Sequence, residues 1–186
     1  MDKRKEVLIS ALKEREEGIR KLAADALEKL EMRDRLDHLV KKIESGEMLE
    51  KIRAIYALTD LKGQRVTEIL IKAAKDPSED VRAAALRVLG GKGESAMPAL
   101  VEALKDASPV VVRVAVDSLS NYRDPRLLGP LMQILKSPDT GIVERALEVI
   151  SRLGDKRAEE AMIYFAVKGN SKMKGLAIKA LGEMDR

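Results

Sequence analysis

The chain contains no cysteine and no tryptophan, a single histidine, and only 2% aromatic residues. Without cysteine there is no disulfide, no thiolate nucleophile and no Cys-ligated metal, and the usage fits a reducing compartment. His38, followed by Leu39, cannot by itself build a multi-histidine centre and reads as a surface residue. The aromatics are Tyr56, Tyr122, Tyr164 and Phe165, too few and scattered to form a stacking platform for bases. Apolar residues still make up 45% of the chain, so any core is built from Leu, Ile, Val, Ala and Met. No run approaches 18 apolar residues. The charged start Met1-Asp2-Lys3-Arg4-Lys5-Glu6 precedes only Val7-Leu8-Ile9, too short for a signal peptide. The expectation is a soluble cytoplasmic protein with no membrane contact.

Charge is plentiful but balanced. Lys and Arg number 35 and Asp and Glu 31, for a net charge of +4. Both signs are mixed along the chain, which is the pattern of a salt-bridge-laced surface rather than of a basic tail. High charge with only two Asn and two Gln is a profile shared with thermophile proteins.

What fills the sequence is a repeat. An apolar landmark recurs at Leu8, Leu39, Leu70, Leu100, Leu131 and Met162, with spacings of 31, 31, 30, 31 and 31. A second row follows four residues later at Leu12, Ile43, Ala74, Leu104, Leu135 and Ala166. Residues i and i+4 share a helix face, so each pair marks the buried stripe of a first helix. A polar row marks a second helix: Arg20, Arg53, Arg82, Arg113, Glu144 and Lys174, each preceded by an apolar residue. A period of this size signals a stacked array. Six repeats are expected, near 1–31, 32–62, 63–92, 93–123, 124–154 and 155–186, forming one domain.

Punctuation agrees with the pattern. Ser108-Pro109, Ser137-Pro138 and Asp124-Pro125 each place a capping side chain before a proline suited to a first helical turn. Gly90, Gly91 and Gly154 fall where second helices should stop. Pro98 and Pro130 lie inside expected first helices and should kink them. The spacing predicts twelve helices, near 3–15, 17–31, 33–45, 47–61, 64–75, 78–90, 94–106, 109–121, 125–136, 139–153, 156–168 and 171–183, with no strand.

Residues 76–90, Asp-Pro-Ser-Glu-Asp-Val-Arg-Ala-Ala-Ala-Leu-Arg-Val-Leu-Gly, resemble the HEAT repeat, and more closely the short HEAT-like type named after phycobilisome lyases. The turns Asp124-Pro125-Arg126 and Gly154-Asp155-Lys156-Arg157 match as well. The resemblance implies an all-α, right-handed α/α solenoid in which second helices line a concave face that meets partners. It places the partner-facing positions one, two and five residues after the Arg row. These are Lys21, Leu22 and Asp25; Ala54, Ile55 and Leu58; Ala83, Ala84 and Arg87; Val114, Ala115 and Ser118; Arg145, Ala146 and Val149; Gly175, Leu176 and Lys179. It also implies that the Arg row forms a ladder, each member bonding an acid in the turn before it or in a neighbouring repeat. Glu14, Glu47 and Asp76 stand six residues before their Arg, and Glu144 could sit between Arg113 and Lys174.

The expected function is non-catalytic: a scaffold or adaptor that binds a protein or peptide on the concave face, with an apolar middle of Ile55, Leu58, Val114 and Val149 and a rim of Lys21, Asp25, Arg87, Arg145 and Lys179. Solenoids build shallow surfaces, not deep pockets. No cofactor or metal is expected, because the His-Glu pairs of HEAT-like iron hydroxylases are missing. Carboxylate pairs such as Glu16-Glu17, Glu79-Asp80 and Glu159-Glu160 sit where acids favour a helix dipole. Two alternatives stay open: an accessory subunit of an enzyme, lyase-like and chromophore-handling, and a nucleic acid backbone binder, which the scarcity of aromatics disfavours.

Overall fold

The structure, a computed structural model, describes residues 2–184. Met1, Asp185 and Arg186, at the outer bounds of the first and last expected repeats, lie outside the described residues. Among the described residues there are eleven α-helices, four 3-10 turns and no strand. The chain divides into two compact units, residues 1–54 and 55–186.

In the first unit, α1 (Lys3–Ala11) packs on α2 (Glu17–Ser45). Asp2 caps α1 by accepting from the Arg4 N–H at 3.0 Å. α2 corrects the helix count. The expected helices 17–31 and 33–45 are one helix of 29 residues, about 44 Å long at 1.5 Å per residue. The reason is local: residues 19–45 contain no glycine or proline, so nothing stops the helix at the expected repeat boundary. It ends at Ser45–Gly46 instead. α3 (Met48–Tyr56) is shorter than the expected 47–61. Leu58 and Thr59 N–H groups reach back only three residues, and the Thr59 hydroxyl donates to the Tyr56 carbonyl at 2.7 Å, which tightens the chain into a turn.

The second unit follows the repeat closely. α4 (Gln64–Ala73) pairs with α5 (Glu79–Leu89), α6 (Met97–Glu102) with α7 (Pro109–Leu119), α8 (Leu128–Ile134) with α9 (Thr140–Leu153), and α10 (Glu159–Lys168) with α11 (Ser171–Glu183). The second helices pack in sequence, α5 on α7, α7 on α9 and α9 on α11. Leu70, Leu86, Leu89, Leu100, Leu119, Leu131, Leu147 and Ile150 are fully buried between them. Each contributes about 1.5–3 kcal/mol by leaving water.

Helix ends explain the boundaries. Pro98 and Pro130 do not break a helix. Each falls in the first turn of its α-segment, after the 3-10 turns Glu94–Ala96 and Pro125–Leu127. A missing N–H costs little there, because first-turn N–H groups have no partner within the helix. The turn Lys156–Ala158 precedes α10 in the same way without a proline, so this entry belongs to the repeat. Asp124 and Asp155 cap their turns, accepting from Arg126 N–H at 2.8 Å and Arg157 N–H at 3.0 Å. Asp139, not Ser137, caps α9, accepting from Ile142 N–H at 3.0 Å. Ser108 makes no capping bond, and its buried hydroxyl has no partner. Gly154 ends α9 at φ 62°, a left-handed conformation that favours glycine.

Candidate interaction surface

The Arg row generates two kinds of contact. Arg82 Nε and Nη2 each donate to the Asp106 carboxylate at 2.8 Å, while Nη1 donates to the carbonyls of Asp76 and Pro77 at 3.0 Å. Asp76 therefore serves Arg82 through its backbone, and the carboxylate comes from the next repeat. Arg113 also reaches a carboxylate of the next repeat, but by a single contact, from Nη2 to Asp139 at 3.1 Å. At the sign-inverted position, Glu144 accepts from Asn170 at 2.9 Å and pairs with Lys172 at 3.1 Å, rather than bridging Arg113 and Lys174. Arg20 takes the carbonyls of Glu14 and Arg15 at 2.9 and 2.7 Å, not a carboxylate. Arg53 and Lys174 are exposed. The hydrogen bonding from Arg82 holds the Asp106 carboxyl below its ordinary pKa, and Asn170 followed by Lys172 lowers that of Glu144.

A second set of cross-repeat bonds was not anticipated from the sequence. Lys92 Nζ donates to the carbonyls of Leu58, Thr59 and Leu61 at 2.8, 2.7 and 2.7 Å. Asn121 donates to the Gly90 carbonyl at 3.3 Å, and the Tyr122 hydroxyl to that of Gly93 at 3.0 Å. Ser118 Oγ donates to the Leu86 carbonyl at 3.1 Å. Each bond spans about one repeat and reaches carbonyls in and beyond the last turns of second helices; those of Leu58, Leu86 and Gly93 also accept a backbone N–H. The available signal was polar side chains just past each second helix, but their types differ from repeat to repeat.

The expected partner-facing row divides sharply. Lys21, Leu22, Asp25, Arg87, Arg145, Gly175 and Lys179 are exposed, and Leu176 is half-buried. Ala54, Ile55, Leu58, Ala83, Ala84, Val114, Ala115, Ser118, Ala146 and Val149 are buried, none more than 6% exposed. The apolar middle of the expected groove, Ile55, Leu58, Val114 and Val149, is thus core and does not face solvent. The cause is the packing of the second helices. α7 and α9 each touch a first helix of their own pair and second helices on two sides, which leaves a narrow exposed strip.

One open stretch of this surface is a shallow groove of about 400 Å³ between α5 and α7, lined by Arg87, Val110, Arg113, Val114, Asp117, Ser118 and Asn121. It brings Arg87, Val114 and Ser118 of the expected row together with the ladder residue Arg113. Val110 is 50% exposed on its wall. The surface continues in a chain of charge: Arg145 pairs with Asp117 and Glu148, and Lys172 with Glu148 and Glu144. Asp117 followed by Glu148 raises the Arg145 pKa above its ordinary value. Arg87 donates only to the Tyr56 hydroxyl, at 3.4 Å, and has no carboxylate partner among the described residues. A groove of this kind offers an extended, shallow binding surface.

No helix among the described residues is long and apolar enough to cross a membrane. Comparison with known proteins agrees with the repeat. Residues 67–149 match the family model of HEAT repeats. No curated protein matches the sequence. Among solved structures, the complex of CpcE and CpcF of phycocyanin lyase from Nostoc sp. PCC7120 is similar with a TM-score of 0.67 at 20% identity, over 80% of this chain and 64% of that one. The chain thus spans just under two thirds of that protein's length. A designed armadillo repeat protein in complex with the peptide (KR)4 is similar with a TM-score of 0.62 at 17% identity, over 98% of this chain and 100% of that one. These likenesses are of fold. The match to HEAT repeats covers residues 67–149, within the second unit.

Proposed function

We propose that the chain is a non-catalytic scaffold or adaptor that binds a protein or peptide partner along the exposed strip of its second helices. The observation that carries the reading is the groove between α5 and α7, where the guanidinium of Arg87 stands without a carboxylate beside the exposed Val110. An unpaired cation next to an exposed apolar side chain suits a segment that offers an acidic residue and an apolar neighbour. The rim residue Arg145 already has its acids in Asp117 and Glu148, so it fixes the edge of the strip and adds little unpaired charge. The designed armadillo protein with its bound peptide supports the use of such a fold for peptide binding. The test is a display selection of random peptides on the full chain, repeated with Arg87→Glu. Acidic-apolar peptides that bind the wild type and lose binding to the variant support the reading. Selected peptides that bind both equally would move the site elsewhere.

A second reading, an accessory subunit of a lyase-like enzyme, draws on the likeness to the CpcE and CpcF complex. It keeps the chain in a binding role and differs in the partner, which would then be an enzyme subunit. Binding to nucleic acid backbone separates from both by salt: phosphate contacts weaken steeply as salt rises.

A further inference from the structure

Within the second unit a different open surface runs along a first helix, α4, where two shallow clefts meet at Ile71. One, of about 500 Å³, is bounded on α4 by Gln64, Thr67, Glu68 and Ile71, and across from them by Lys92 and Ser95. The other, of about 400 Å³, continues from Ile71 past Ala74, Ala99 and Ala103 to Asp106. Ala74 stands in the register of Leu104 and Leu135, and its smaller side chain leaves room in this second cleft. The ion pair of Lys75 and Glu102, at 3.2 Å, borders it.

The polar groups of the first cleft are acceptors that lack a cationic donor. Thr67 is only 6% exposed, yet its hydroxyl makes no hydrogen bond among the described residues. A hydroxyl buried to this degree ordinarily has a partner. Glu68 accepts from the Gln64 side-chain amide at 2.9 Å, and no cation pairs with it among the described residues. The Ser95 hydroxyl is likewise without a hydrogen bond among the described residues. Lys92 lines the same cleft but cannot serve these groups, because its ammonium is engaged by the carbonyls of Leu58, Thr59 and Leu61. Asp60 also lies near that ammonium and favours its charge.

We propose that this groove binds an extended segment of a partner protein that carries an arginine and an aliphatic residue three positions apart. A guanidinium offers five N–H groups in a planar fork, so it can donate to Glu68 and to the hydroxyls of Thr67 and Ser95 while its apolar stem lies over Ile71. An acidic side chain would instead meet the like charge of Glu68. The aliphatic side chain enters the second cleft against Ala74, Ala99 and Ala103. Thr67 and Ala74 share a face of α4 and lie about 10 Å apart along it. In a polyproline II segment, residues three apart also share a face and lie about 9 Å apart. The proposal does not rest on the groove between α5 and α7, whose free charge has the opposite sign.

The test is fluorescence anisotropy of the full chain with fluorescein-labelled glycine-serine peptides that carry one arginine and one leucine three positions apart, in both orders. One order should bind saturably. Exchanging its arginine for glutamate should weaken binding by about tenfold or more. Thr67→Val, which keeps the shape of a side chain whose hydroxyl has no partner, and Glu68→Gln should each weaken binding by about fivefold or more. Ala74→Leu should do the same by filling the second cleft. Circular dichroism checks that the variants fold, and the first two alter no partnered core group. The proposal is overturned if neither order binds, if the glutamate peptide binds as well, or if Thr67→Val and Glu68→Gln bind as the wild type does.

Discussion

Arg82 and Asp106 lie 24 residues apart in sequence and form a two-pronged ion pair, both contacts at 2.8 Å, with their side chains only 17% and 14% exposed. The pair joins one repeat to the next, and Arg82 also closes its own turn on the carbonyls of Asp76 and Pro77. Arg82→Ala leaves a mostly buried carboxylate and two carbonyls without donors, and should cost about 2–3 kcal/mol. Arg113 meets Asp139 by one 3.1 Å contact and is 53% exposed, so Arg113→Ala should cost about 1 kcal/mol or less. Urea midpoints rank the two. Equal losses would mean that the geometry of the Arg82 pair contributes nothing beyond surface charge.

The same pair sets a pH dependence. Its hydrogen bond to Arg82 depresses the folded Asp106 pKa, so the unfolded chain takes up protons first as pH falls. The stabilisation is present above the unfolded aspartate value and is lost as pH falls through the folded one. Asp155 follows the same sign through its bond to Arg157, with its pKa lowered from 3.8 to about 2. Stability of the wild type should fall as pH drops through roughly 4 to 2. Asp106→Asn should be less stable at neutral pH and show a shallower acid limb. A variant whose acid limb parallels the wild type would remove Asp106 from the account.

The second unit was legible because its period, the Asp124 cap and the glycines Gly90 and Gly154 at helix ends agree with one another, while the expected Ser108 and Ser137 caps did not form. Residues 19–45 kept the apolar period but lost the punctuation, and there the period misled: the helix ran through Met32. Burial of the second-helix row was hidden for a different reason. A periodic apolar residue reports that a face is covered, not by how many neighbours, and Val114 and Val149 are covered by adjacent second helices. The exposed rim positions Arg87 and Arg145 were legible because a long charged side chain can leave a crowded helix where valine cannot.

Burial reverses the expected outcome at the middle of the row. Leu58 is 0% and Val114 6% exposed, so Leu58→Asp and Val114→Asp should unfold the second unit by burying an unpaired charge. Circular dichroism at increasing temperature reads the loss. Arg87→Glu, on the exposed strip, should change the midpoint by no more than about 0.5 kcal/mol equivalent. If both aspartate variants fold with wild-type helix content, those side chains are not core.

Gly90 and Gly182 occupy the same register position, one covered and one open, and one substitution separates them. A Cβ at Gly90 would approach Ser118 Cβ at 3.0 Å and its Oγ at 3.1 Å, closer than ordinary van der Waals contact. Gly90 has φ −55°, so alanine meets no backbone strain there and any cost is one of packing. Gly90→Ala should therefore destabilise by about 1–3 kcal/mol, the range for overpacking a filled site. Ser118→Gly, made in the same chain, should return part of the loss by removing the atoms that clash, although it also removes the hydroxyl bond to the Leu86 carbonyl. Gly182→Ala adds a methyl to open space near the end of α11 and should be neutral or stabilising by up to about 1 kcal/mol. Denaturant unfolding gives all three values. A Gly90→Ala variant as stable as Gly182→Ala would mean that α5 and α7 can separate at no cost, which their close approach at Ser118 argues against.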